Sequence, residues 1–178
     1  VIGLKYNKIE DLDLLIEKSI MSSRLTHNYT LGFLGGFVTA FFCSLAIRRV
    51  DPFKWSTMLM DVISEVDKYM KTTDIYDNYN NDKNQFWSLW DKFNEEKLNH
   101  YEFKSEEFLF SADRYNSLIH FEPSILKESY DFSKYGASGI GATILAYDSL
   151  LMSYNFKLKK FDFNNLIYFS TLHFGDND

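Results

Sequence analysis

Asp176 and Asp178 stand one residue apart behind Gly175, whose missing Cβ frees the backbone to turn both carboxylates toward one point. Hard oxygen donors at this spacing suit Mg²⁺ or Ca²⁺, and an acidic, solvated chain end is the plain alternative. A second group, Ser23-Arg24-Leu25-Thr26-His27-Asn28, combines a guanidinium fork for phosphate, hydroxyls for sugar oxygens and an imidazole able to act as acid or base. Ser, Thr and Asn are also what an ordinary helix start recruits, so a capping role is open to them. The third group is Gly136-Ala137-Ser138-Gly139-Ile140-Gly141, where amides at a helix N-terminus would hold an anion. Its glycine order is not the dinucleotide fingerprint, and helix-packing glycines in a simple loop explain it as well. No H-E-x-x-H, Walker-type loop or cysteine cluster occurs. The single cysteine, Cys43, lies in an apolar run, where a buried thiol makes a poor nucleophile.

The segments around these groups have helical spacing. Asn7 and Glu10 read as a capping box, and Ile9, Leu12, Ile16 and Ile20 then predict a helix over residues 8–22. Residues 23–30 form a polar loop. Residues 31–47 carry no charge and precede Arg48 and Arg49, which raises the question of a membrane span. The run is short for one, Thr39, Cys43 and Ser44 lower its hydrophobicity, and the small face of Gly32 and Gly36 suits close packing of soluble helices too. It is read as a helix that is hydrophobic all round because it is buried in a helical core. Asp51-Pro52 starts the next helix, with Trp55, Met58, Val62, Val66 and Tyr69 on one face.

Residues 74–83, rich in Asn, Asp and Tyr, read as a surface loop. Phe86, Trp90, Phe93 and Lys97 mark the inner face of a following helix, widened by Trp87 and Leu98. Residues 101–132 show no clean period and read as irregular chain with short helical turns. A glycine loop then feeds a helix over 142–154, and Asp162 caps a last one over 163–172. With no strand alternation, heptads, repeats or linker in sight, the expectation is a single all-α domain over residues 1–178.

Composition narrows the function classes. Apolar residues at 46% and charged residues at 25% describe a chain that folds around a core, and only 2 Pro and 8 Gly favour long helices. A net charge of −6, with basic residues scattered, argues against a nucleic-acid surface. One cysteine excludes an internal disulfide and points to an intracellular, cytoplasmic setting. No membrane partner is expected. Nothing at the start resembles a signal peptide, and a chain that opens on Val1 leads one to expect residues before it or a trimmed start.

Taken together, the motifs resemble the ADP-ribosylglycohydrolases, and most of all their ADP-ribosylarginine hydrolase branch. Ile2-Gly3-Leu4-Lys5-Tyr6 with Leu12-Asp13-Leu14-Leu15-Ile16 is similar to the family's lead-in to its first ligand loop. Arg24 to Asn28 with Gly32-Phe33-Leu34-Gly35 resembles that loop and the buried helix after it. Ser138-Gly139 and then Ile144-Leu145-Ala146-Tyr147-Asp148-Ser149 resemble its glycine loop and helix, and His173 with Gly175, Asp176 and Asp178 resembles its metal segment. The resemblance implies a compact, orthogonal multi-helix fold of which this chain is the C-terminal-side portion. It implies Mg²⁺-dependent hydrolysis of the glycosidic bond between ADP-ribose and a modified side chain, with an arginine-type linkage favoured. It makes Asp176 and Asp178 ligands of a pair of Mg²⁺ ions, and puts Arg24, Thr26, His27, Ser138 and Gly139 on the ADP-ribose side, with an ADP-ribosylated protein or ADP-ribose as partner.

The chain also departs from the pattern. The family's further acids and Thr, which belong to its first half, have no match among these residues. Ile140-Gly141 stand where a His-Asp pair is usual, Thr30 replaces a proline and Phe174 a glycine. A second reading therefore follows from the resemblance: a catalytically inactive relative serving as a structural or ligand-binding subunit of a larger assembly.

Overall fold

The computed structural model of the chain describes residues 1–98, 118–121 and 136–171. The segment read as irregular, 101–132, lies outside the described residues except for 118–121, and so do Leu172, His173, Phe174, Gly175, Asp176 and Asp178. The described chain is helical, with one short hairpin as its only sheet. It divides into two compact units, Val1–Asp91 and Lys92–Asp178.

The first unit is built around α3, Thr30–Ile47, on which α1 (Ile2–Lys5) and α2 (Leu12–Arg24) pack. Leu34, Phe37, Val38 and Leu45 of α3 are fully buried, and 72% of the helix is enclosed, as a core helix requires. Its small residues explain how close the neighbours come. A Cβ on Gly36 would stand 1.9 Å from Ser23 Oγ of α2, and one on Gly3 of α1 would stand 2.2 Å from the Ala40 carbonyl oxygen. The small stripe of α3 is thus the floor on which α1 and α2 rest. α3 ends with Arg49 in the left-handed region (φ 56°), where Val50 N–H donates to the Leu45 carbonyl at 3.0 Å.

The predicted first helix is a short 3-10 turn, Ile9–Asp11, followed by α2. The cap is one residue later than expected: Lys8 N–H donates to Asp11 Oδ2 at 3.3 Å, while the Asn7 side chain turns back to donate to the Leu4 carbonyl. Asp51 caps the following segment as expected, accepting from Phe53 N at 3.1 Å with Pro52 in the first position. The predicted continuous helix is instead α4, Trp55–Asp61, and α5, Ile63–Met70, broken at Val62 (φ −98°, ψ 5°). The β-branched pair Val62-Ile63 resists the helix interior at that point. Phe42 of α3 meets Trp55 and Trp90 at ring-centroid distances of 5.5 Å each, the second edge-on, and so links α3 to α4 and to the helix that carries Trp90.

The expected loop over 74–83 is a correction. α6 runs Tyr76–Glu96 and includes most of it. Asn and Asp are weak helix formers, and tertiary contacts override them. Tyr79 is fully buried and its hydroxyl donates to Asp67 Oδ1 of α5 at 2.5 Å, while Lys83 Nζ donates to both oxygens of Asp67 at 3.1 Å. Tyr79, Lys83, Phe86 and Trp90 therefore share one face, and the inner stripe starts a full two turns earlier than the apolar pattern alone reveals.

In the second unit, Phe93 at the end of α6 packs against Phe121 and Tyr147, each at 5.6 Å between ring centroids. α7 runs Gly139–Met152, followed by the hairpin β1 (Tyr154–Asn155) and β2 (Lys160–Phe161), antiparallel with Tyr154 opposite Phe161, and then α8 (Phe163–Thr171). The hairpin is too short for alternation to announce it. Asp162 caps α8 as expected, accepting from Asn164 N at 2.9 Å and Asn165 N at 3.2 Å. Two contacts relate α8 to α7: Asp162 N–H donates to the Ser153 carbonyl at 2.9 Å, and Ser149 Oγ, 2.8 Å from the Leu145 carbonyl of its own helix, lies 3.1 Å from the Phe169 carbonyl. Moving forward along α8 thus means moving back along α7, so α8 runs antiparallel to it over the C-terminal half of α7.

Candidate functional site

In the first unit the candidate residues lie at the C-terminal end of α2 and in the turn leading to α3. Arg24, the last residue of α2, is half-buried, whereas Thr26, His27 and Asn28 are exposed. The turn is closed by its backbone, with His27 N–H donating to the Ser23 carbonyl at 2.8 Å. Thr26 Oγ1 lies 2.8 Å from His27 Nδ1, so the two side chains form one polar pair. Gly32 makes room beneath it: a Cβ there would stand 2.8 Å from His27 Cβ and 3.0 Å from the Tyr29 ring. Thr30, in the place of the family's proline, is buried at the start of α3 and its hydroxyl donates to Asp82 Oδ2 at 3.2 Å.

Arg24 is held from two sides. Its Nε–H donates to Asn28 Oδ1 at 2.9 Å, and its Nη2 lies 3.0 Å from Asp74 Oδ1 and 3.2 Å from Oδ2. Asp74 sits fifty positions away, in the turn between α5 and α6, and nothing in the linear pattern pairs it with Arg24. Tyr69 belongs to the same neighbourhood. Burial pushes its phenol above the usual tyrosine range, the Glu17 carboxylate adds to that, and Arg24 opposes it.

In the second unit Ser138 is the N-cap of α7, 3% exposed, with its Oγ accepting from Gly141 N at 2.8 Å. The helix starts at Gly139, three residues before the expected Ala142, so Gly139 and Gly141 belong to its first turn and not to a loop. Gly136 (φ 86°) supplies the left-handed step that leads into it. Gly139 is half-buried, while Ile140 is fully buried and Gly141 buried. The positions where the family has a His-Asp pair are thus occupied by core packing and a capped amide. Asp176 and Asp178 lie outside the described residues, and among the described ones no three His, Cys, Asp or Glu come together as a metal site would need.

No protein-family model matches the chain. Across 99% of its length, however, it is 36% identical to the ADP-ribosylhydrolase ARH1 of Dictyostelium discoideum. The chain belongs to the ADP-ribosylglycohydrolase family. It is also 26% identical, again across 99% of its length, to the L444 protein of Acanthamoeba polyphaga mimivirus, whose name proposes an ADP-ribosyl glycohydrolase. The chain spans 47% of the first relative's length and 33% of the second's. The all-helical architecture of the described residues agrees with the fold expected of the family.

Proposed function

We propose that the protein hydrolyses the glycosidic bond between ADP-ribose and a modified protein side chain, with arginine-type linkages favoured and divalent cations required. The observation that carries this reading is the exposed polar turn of Arg24, Thr26 and His27, whose guanidinium is held by Asn28 and Asp74 with donors to spare. The similarity to ADP-ribosylhydrolase ARH1 over the whole chain supports the same substrate class.

In this reading Asp176 and Asp178 would hold Mg²⁺ together with further oxygen donors, a ligand type that suits a hard cation. Bound Mg²⁺ supplies orientation of the ribose hydroxyls and a positioned water. Arg24 contributes charge-assisted donors to a phosphate and Thr26 a hydroxyl to a sugar oxygen, with His27 beside it. Gly139 lets the ligand approach the α7 backbone closely, and Ser138 acts through the cap that fixes that backbone. Release of ADP-ribose from an ADP-ribosylated arginine peptide, measured with the full-length protein with and without Mg²⁺, tests this. Turnover that depends on Mg²⁺ is expected, and turnover unaffected by chelation would overturn the metal assignment.

The burial of Ile140 and the capping of Gly141 favour a second reading, an inactive subunit that keeps the ligand site or the scaffold alone. A full-length protein that binds ADP-ribose without releasing it from any linkage would select that reading.

A further inference from the structure

The guanidinium of Arg24 has five N–H donors in a rigid plane, and its partners define which of them are committed. Nε–H is taken by Asn28 and Nη2 by the Asp74 carboxylate. Nη1 and the rest of Nη2 meet no acceptor among the described residues. The two acceptors come from different elements, so together they fix the plane of the group and not merely its position.

The turn that brings Asp74 is itself pinned. Thr72 Oγ1 donates to the Tyr69 carbonyl and Thr73 Oγ1 to the Met70 carbonyl, both at 2.7 Å, at the end of α5. Beyond it, Tyr79 and Lys83 of α6 bind Asp67 of α5. Asp74 thus extends from a braced base, yet its side chain is 77% exposed while that of Arg24 is 21% exposed. So solvated an ion pair adds little to folding. Its consequence is orientational: a long side chain held before a ligand arrives loses less rotamer freedom on binding it.

We propose that Asp74, with Asn28, is a positioning residue that holds the Arg24 guanidinium with its open edge presented to an anionic ligand, the diphosphate of ADP-ribose. This rests on the role given to Arg24 above. Asp74 also places a negative charge near the incoming phosphate, so an uncharged acceptor of the same shape should serve as well or better. That distinguishes holding the guanidinium from neutralising it.

Calorimetric titration of the full-length protein with ADP-ribose tests the proposal in four variants. Arg24→Ala should weaken binding by about thirtyfold, as expected for a charge-assisted, forked contact. Asp74→Ala should weaken it by about threefold to fivefold, the range set by an exposed pair. Arg24→Ala/Asp74→Ala should be no weaker than Arg24→Ala, because Asp74 acts only through the guanidinium. Asp74→Asn, which keeps the acceptor oxygen, should bind within twofold of the parent by the same exposed-pair argument.

Tighter binding by Asp74→Ala would make Asp74 a competitor for Arg24 and overturn the proposal. An equal loss in both backgrounds would do the same by placing its effect elsewhere. If Arg24→Ala binds like the parent, the reading of Arg24 itself fails. If Arg24→Ala weakens binding and Asp74→Ala does not, only the positioning role fails. Thermal melts run alongside guard the comparison, and Asp74→Asn supplies it should Asp74→Ala unfold.

Discussion

The Arg24 guanidinium is braced by exposed side chains from two segments, whereas the turn that carries Ser138 is closed by a single buried side-chain cap. In the first, an exposed carboxylate and an exposed amide fix a half-buried guanidinium, and the polar residues around them reach solvent. In the second, a buried hydroxyl closes the first helical turn, and Ile140 and Gly141 are packed inward. The difference separates the tasks the two segments can perform. Side chains that reach solvent can exchange their partners for a ligand at small cost. A buried cap cannot give up its bond without leaving a polar group unpaired, so its contribution to a site is shape and backbone placement.

Substitutions that separate folding from binding sharpen the contrast. The largest effect is expected at Gly36, the floor beneath the Arg24 turn. Gly36→Val forces a branched side chain against Ser23 and should destabilise the protein by about 3 kcal/mol, read from chemical unfolding. Ser23→Gly in the same chain should restore part of that loss, and no restoration would mean that the crossing is not where the strain arises. Ser138→Ala comes next, at about 1 to 2 kcal/mol, because it removes a buried helix cap. A near-neutral result there would erase the distinction between the two turns.

Tyr79→Phe should cost about 1 kcal/mol through the lost bond to Asp67. It also has a pH signature. Burial raises the Tyr79 phenol well above its usual range, with the Asp67 bond adding to the shift. The folded state then keeps a proton that the unfolded chain releases, so this contribution is complete below about pH 10 and declines as pH rises beyond it. The parent should lose stability more steeply than Tyr79→Phe in alkaline solution, and parallel curves would refute the assignment. The smallest effect on folding belongs to Arg24→Ala, at most about 1 kcal/mol because its partner is so exposed. A large destabilisation would make Arg24 a structural residue after all.

Much of this architecture is legible in the residues. The apolar run of α3, the Asp51-Pro52 start and the Asp162 cap all act through local chemistry, and each lies where the spacing puts it. The failures at residues 76–83 and at Asp74 come from contacts between distant parts of the chain, and the one at Gly139 from a local cap. Tyr76 to Lys83 look like a loop because the carboxylate that makes them helical, Asp67, lies in another helix. Gly139 and Gly141 look like a loop because a cap from Ser138 outweighs their weak helix preference. Asp74 goes unnoticed as a partner of Arg24 because fifty positions separate them. The motif residues stand out in the sequence by type and order, and what holds Arg24 and Ser138 is visible only in the fold.

The most direct test of the account is the release of ADP-ribose from an ADP-ribosylated arginine peptide by the full-length protein, compared between the parent and Asp176→Asn/Asp178→Asn at saturating Mg²⁺. The account predicts turnover by the parent and none by the double variant, with far-ultraviolet circular dichroism unchanged. Equal turnover by the two proteins would contradict it.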